Sequence, residues 1–210
     1  MADTNATLRV PASRGEVSLR IKNSRFIAVL IPVSTQAEVD EALAGLHAQH
    51  PGATHIVYAF SLGPPMSRLL GQSDAGEPKG TAGRPVLAVV EGKGVTNALL
   101  SVVRYFGGTK LGTGGLVRAY GEAAAAVMEA VRLTPLRRLC AGRVEVDYAT
   151  YEPVRNLVTA LGGAVLREEY GTTVSIDLIV PEEARDELAA ALRDRTRGVT
   201  EPIFGEPYWG

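Results

Sequence analysis

LLSVVRYFGGTKLGTGGLVRAY, residues 99–120, passes from a nearly all-apolar run through a glycine-rich turn into the start of an amphipathic helix. Residues 99–106 read as an interior strand, because a strand covered on both faces shows continuous rather than alternating hydrophobicity. The turn occupies residues 107–115, and six glycines fall between Gly107 and Gly121. From about Gly115 to Leu133, the residues Leu116, Tyr120, Ala123, Val127 and Val131 share one helical face. Arg118 and Glu122 form an i,i+4 pair on another face. A strand, a glycine turn and a helix in succession predict an α+β domain built on a covered sheet.

The segments before this stretch supply the rest of that sheet. Residues 16–21 alternate, with Val17, Leu19 and Ile21 set against Ser18 and Arg20. Lys22-Asn23-Ser24 then turns the chain into a strand over 25–31, a hairpin signal. Ser34 or Thr35 caps a helix carrying Glu38, Val39, Leu43 and Leu46, and Pro51-Gly52 stops it. Strands over 55–62 and 67–72 are joined by Gly63-Pro64-Pro65. After the loop 73–80, Thr81 is expected to cap a helix that tolerates Pro85 early and ends at Gly92-Lys93-Gly94. Residues 1–14 read mostly as a loose arm, with order beginning near Gly15.

Pro135 and Arg137-Arg138 mark a domain boundary, giving domains over 15–135 and 139–207. The second reads as strand 141–147, helix 151–161, strand 164–170, strand 172–180, helix 181–192 and strand 199–204. That βαββαβ order predicts a ferredoxin-like fold. No solenoid repeat or low-complexity tract interrupts the chain.

The 210 residues are 46% hydrophobic, enough for two small cores. No apolar run approaches the roughly 20 residues of a membrane span, so the chain is read as soluble, unexported and cytoplasmic, with no membrane partner. Cys140 is the single cysteine, which excludes an intrachain disulfide and a thiolate metal cluster. It reads as a small buried hydrophobe. The net charge of −1 conceals an asymmetry: residues 1–138 carry 15 basic and 10 acidic side chains, a net of +5, and residues 139–210 carry 7 and 13, a net of −6.

Catalytic templates fail. Leu111 follows the lysine where a phosphate loop needs Ser or Thr, Val117 stands where a dinucleotide fingerprint needs its third glycine, and no Gly-x-Ser-x-Gly elbow exists. His47, His50 and His55 read as solvated or turn-packed side chains. No catalytic residue, cofactor or metal site is therefore assigned.

Two features remain. In Ser73-Asp74-Ala75-Gly76-Glu77-Pro78, Asp74 or Glu77 is placed to orient a cation, with Arg84, Arg104 and Lys110 as candidates. Between Gly92 and Gly121 no acid occurs, while Lys93, Arg104, Lys110 and Arg118 do. The backbone N–H groups of Gly107, Gly108, Gly112, Gly114 and Gly115, beside a helix N-terminus, suit a bound anion. Tyr105 and Tyr120 are candidates for stacking or for the core, with the core reading preferred for Tyr120. Arg104 interrupts a buried strand and needs a partner or a role.

The stretches 73–85, 104–108 and 110–120, in this order, resemble the signature of the IMPACT/YigZ family. The resemblance extends from about Ser24 to Leu133, and the C-terminal unit is similar to the additional domain of the family's bacterial members. It implies an N-terminal βαβ domain with a left-handed crossover, of the kind shared by a small-subunit ribosomal protein and elongation factor G. It further implies a C-terminal domain similar to another elongation factor G domain. Eukaryotic relatives regulate translation initiation by competing for an activator of a stress kinase, and nucleic-acid binding has been proposed for bacterial ones. This chain departs from the pattern at Ala75, where a second acid is usual, and at Lys79, where a small polar residue is usual. The first removes an adjacent acid pair, and the second adds positive charge.

The resulting expectation is a non-enzymatic, translation-linked regulator binding RNA, the ribosome or a ribosome-associated protein. Arg84, Arg104, Lys110, Arg118 and the five glycines would contact the anion, with Asp74, Glu77 and Tyr105 in support. The alternatives are a phosphate or nucleotide site using Asp74, Glu77 and Lys110, and a protein-interaction adaptor using the acidic C-terminal domain. The sequence leaves the oligomeric state open.

Overall fold

In the computed structural model, which describes residues 8–210, the chain divides into two units between Leu136 and Arg137. The first runs β1 (Arg9–Pro11), β2 (Gly15–Ile21), β3 (Ser24–Pro32), α1 (Gln36–Gln49), β4 (His55–Leu62), β5 (Leu69–Ser73), α2 (Gly83–Gly92), β6 (Ala98–Tyr105), α3 (Thr113–Ala130) and β7 (Leu133–Pro135). Its main sheet has the order β2-β3-β6-β4-β5. Both β3 and β4 run antiparallel to β6, so they are parallel to each other, and the α1 crossover between them makes a βαβ unit.

Both faces of this sheet are covered, which explains the unbroken apolar runs of β3 and β6. Phe26, Ala28, Leu30, Leu100 and Val102 pack with α2 and α3. The intervening Ile27, Val29 and Val103 pack with Leu46 of α1 on the opposite face. At the edge, β2 keeps its alternation, with Val17, Leu19 and Ile21 half-buried and Glu16, Ser18 and Arg20 exposed.

Order begins before Gly15, correcting the expectation of a loose arm; the part of that expectation covering residues 1–7 lies outside the described residues. Leu8 is buried, and β1 pairs antiparallel with β7. The Arg9 backbone also exchanges hydrogen bonds with Gly94 and Thr96. A three-residue strand is too short for periodicity to reveal, and its partner lies more than a hundred residues away. The same pairing takes Leu133 out of α3, which ends at Ala130.

The second unit contains β8 (Arg138–Val146), α4 (Tyr148–Ala160), β9 (Ala164–Tyr170), β10 (Val174–Pro181), α5 (Arg185–Thr196), β11 (Ile203–Phe204) and β12 (Tyr208–Trp209). The antiparallel order β11-β8-β10-β9 is that of a ferredoxin-like βαββαβ fold. Val144, Ile176 and Leu178 of the sheet meet Val154, Val158, Leu188 and Leu192 of the helices. Cys140 is fully buried in this core, and burial pushes its thiol above the ordinary range. Asp147 caps α4 by accepting from the Thr150 N–H at 2.7 Å, so that helix starts three residues earlier than expected. The last strand is shorter than expected, because only Ile203 and Phe204 pair with β8 before β12 does. Among the described residues, no helix is long and apolar enough to cross a membrane.

Candidate functional site

Strand directions bring the two sequence features to one edge of the N-terminal sheet. Because β5 is antiparallel to β4 and β4 to β6, strands β5 and β6 end on the same side. Each is followed by a loop and then a helix, α2 or α3. The β2–β3 turn and the starts of β3 and β4 lie at that edge too, so Phe26, Arg104 and His55 form one cross-strand row.

Asp74 closes the first loop. Its Oδ2 accepts from the Gly80 N–H at 2.8 Å, and its Oδ1 accepts from Ala82 at 3.1 Å and Gly83 at 2.8 Å. Burial would raise this carboxyl, but the three N–H donors outweigh it and hold Asp74 below the usual range. Asp74 therefore satisfies the start of α2 and orients no arginine. Thr81 was the expected cap, yet its hydroxyl donates instead to the Pro78 carbonyl at 2.6 Å.

Glu77 selects Arg104 among the candidate cations. Its Oε1 accepts from Arg104 Nη1 at 2.5 Å and from the Tyr120 hydroxyl at 2.7 Å. His55 Nε2 lies 3.9 Å from the same oxygen. Facing the Ala75 carbonyl at 2.9 Å, His55 Nδ1 must carry a proton and donate. Arg104 Nη2 reaches Ser24 Oγ at 3.3 Å, and the guanidinium carbon sits 5.4 Å and 5.5 Å from the ring centroids of Phe26 and Phe106. Burial and the Glu77 carboxylate raise the Tyr120 phenol far above its ordinary range, so it remains a donor.

This arrangement revises the residue set read from the sequence. Arg104 is only 5% exposed and is held within the unit as a scaffold cation, away from the solvent-facing cluster. Tyr105 is on the α1 side, its hydroxyl 2.9 Å from His50 Nδ1, because successive strand residues point to opposite faces. Arg84, Lys110 and Arg118 are exposed, and none has a carboxylate oxygen within 4.0 Å among the described residues. The expected Arg118–Glu122 ion pair is accordingly not formed. Sequence reading missed Ser24, Phe26 and His55 as contributors; Phe26 and His55 stand opposite Arg104 in the cross-strand register, and Ser24, two residues before Phe26, reaches it by a side-chain hydrogen bond.

The glycine turn is shaped by close approach and by left-handed backbone. A Cβ on Gly107 would lie 1.8 Å from the Asn23 carbonyl oxygen and 2.1 Å from its carbon. Gly112, at φ +72°, precedes α3, and among the described residues no side chain caps that helix. Gly114 and Gly115 belong to its first turn rather than to the preceding loop, and the positive end of the helix dipole is exposed there. Gly107→Ala is expected to lower stability by about 3 kcal/mol, the upper end for overpacking, since backbone must move. Gly114→Ala, with no atom within 4 Å of its Cβ, should be neutral or stabilising by up to about 1 kcal/mol. Thermal unfolding of the two variants compares them directly. Among the described residues, no three His, Cys, Asp or Glu side chains gather as metal ligands.

Comparison with known proteins places both units. Residues 22–128 match the Impact N-terminal domain, and residues 144–199 match a domain of unknown function, DUF1949. The IMPACT family member YigZ of Escherichia coli (strain K12) is 36% identical over 193 residues, covering 90% of this chain and 93% of that protein. The IMPACT family member YvyE of Bacillus subtilis (strain 168) is 30% identical over 192 residues, covering 91% and 88%. A crystal structure described as that of a hypothetical protein aligns with a TM-score of 0.63 at 33% identity, covering 95% of this chain and 98% of the other.

Proposed function

The chain belongs to the IMPACT family, and from that membership we propose that its N-terminal unit is a non-enzymatic, translation-linked module that engages RNA, free or on the ribosome. The basic edge of its sheet would make the contact. The observation that carries this reading is the exposure of Arg84, Lys110 and Arg118 without carboxylate partners among the described residues, at an edge where Asp74 and Glu77 are spent internally. Lys22 in the hairpin turn and Lys79 in the Asp74–Gly83 loop are exposed at the same edge. The uncapped start of α3 adds N–H donors and dipole charge where a phosphate would rest. A small-ligand site that used Asp74 and Glu77 as acid, base or cation ligands is disfavoured by their existing partners. Asp74 holds three backbone N–H groups, and Glu77 holds Arg104 and Tyr120.

Binding through phosphates releases counterions, so affinity should fall steeply with salt. In co-sedimentation with RNA and with ribosomes, Lys110→Glu and Arg118→Glu are each expected to weaken binding and to reduce the salt slope by about one. No salt-sensitive binding to either at about 50 mM salt would remove the reading.

A further inference from the structure

On the β2–β3 hairpin, Arg20 and Arg25 stand directly opposite each other in register. Arg25 is in turn opposite Tyr105 of β6, so the three residues form one cross-strand row. Strand parity sets this row on the α1 side of the sheet, because Arg25 alternates with Phe26, which packs against Tyr120 of α3, and Tyr105 packs with the α1-side cluster. The row is therefore separate from the buried Arg104 centre on the other face. Like charges directly opposite on paired strands are destabilising. Both arginines are exposed, and neither has a carboxylate oxygen within 4.0 Å among the described residues. Lys22, exposed in the turn between them, adds a third positive charge.

A cleft of about 440 Å³ is lined in part by Ser18, Arg20, Asn23, Arg25 and Tyr105. Arg25 Nε donates to Ser18 Oγ at 3.1 Å, which orients its guanidinium, and the Tyr105 hydroxyl is tied to His50 Nδ1 at 2.9 Å. Directly opposite residues on paired strands have Cβ atoms about 5 Å apart, so two guanidiniums can close on one anion. Charge and oxygen count decide which anion suits them. A phosphodiester carries one negative charge and two unesterified oxygens, whereas a phosphomonoester carries nearly two charges at neutral pH and three such oxygens. The monoester matches the charge of the pair and leaves each arginine fork an oxygen of its own beside a shared one.

We propose that Arg20 and Arg25 form a site for a phosphomonoester dianion, and that the group they take is the terminal phosphate of an RNA strand. The second half rests on the RNA-binding reading above and narrows it: the basic edge engages phosphodiesters wherever they lie, and the arginine pair selects a chain end.

The first measurement needs no RNA. At matched ionic strength and near-neutral pH, adenosine monophosphate should raise the unfolding temperature of the full chain by a few degrees, and adenosine should not. Arg25→Gln should abolish that response. In phosphate-free buffer it should unfold at no lower temperature than the wild type, since it removes one of two facing like charges. The second measurement compares a short RNA bearing a 5′-phosphate, a 3′-phosphate or neither. At least one phosphorylated form is expected to bind about tenfold tighter than the form with neither. Arg20→Gln or Arg25→Gln should remove the difference, whereas Lys110→Glu should weaken all three and keep it. No selective response to the monophosphate, or a response that Arg25→Gln retains, would overturn the site. A response without discrimination between RNA ends would overturn the chain-end assignment and leave a site for free phosphomonoesters. Failure of every RNA to bind at about 50 mM salt, with the monophosphate response intact, would remove the broader reading and the chain end with it, but not the site.

Discussion

Glu77→Ala is expected to destabilise the N-terminal unit by about 3–5 kcal/mol, the cost of stranding one member of a buried ion pair. The Arg104 guanidinium would keep Ser24 and two aromatic rings as neighbours but lose its only carboxylate among the described residues. Arg104 Nε already has no hydrogen-bond partner among the described residues, so little polar compensation is within reach. Tyr120 would lose its acceptor in the same step. The pair also joins elements far apart in sequence, because Glu77 sits in the loop before α2, Arg104 on β6 and Tyr120 on α3. The loss should therefore spread over the whole unit. Hydrogen exchange of the β6 amides is the suitable measurement, since two units in one chain need not unfold together. The double variant Glu77→Ala/Arg104→Met should be less damaged than Glu77→Ala, because it leaves no unpaired charge inside. If the double variant instead loses the sum of the single effects, the pairing is not what stabilises this edge.

What the sequence revealed follows from the range over which each signal acts. The strands β3 and β6 were legible because their apolar runs reflect burial on both faces, a property carried by every residue in them. Arg104 was legible as a charge requiring a partner, and Glu77 was among the acids considered. Choosing between Arg84, Arg104 and Lys110 required knowing that β5 and β6 end at one edge, which depends on the pairing of all five strands. Tyr105 illustrates the same limit. Parity along β6 puts it opposite Arg104, but its facing becomes meaningful only when the helices on each face are known. The cap of α2 was misassigned to Thr81 because helix capping is read from adjacent residues, whereas Asp74 reaches back from nine positions before Gly83.

These corrections change how the edge is understood. A patch counted simply as acids and bases would have offset Asp74 and Glu77 against the nearby cations. In the folded unit both acids face inward, and the exposed charges are nearly all positive. Glycine at 107 lets the loop lie against the hairpin, close to the Asn23 backbone, and Lys110 follows three residues later. Internal neutralisation of the acids is thus what leaves a positively charged edge on a chain of net charge −1.

The consequence is sharpest for Asp74, whose replacement by alanine should cost about 3 kcal/mol by leaving the N–H groups of Gly80, Ala82 and Gly83 without their acceptor. Ala82 and Gly83 are buried, so water cannot readily take its place. Asp74→Asn keeps one carbonyl acceptor and should lose about half as much, on the order of 1–2 kcal/mol. The folded carboxyl is held below its unfolded value of about 3.9, so its contribution is complete above that value and disappears as pH falls through the folded pKa. Wild type and Asp74→Asn should therefore differ by a constant amount near neutrality, and the gap should narrow in acid as the wild type alone loses this term. Thermal unfolding of both proteins from about pH 6 to pH 3 measures it. Parallel curves over that range would show that the charge on Asp74 does not hold the start of α2, and with it the placement of Arg84, in position.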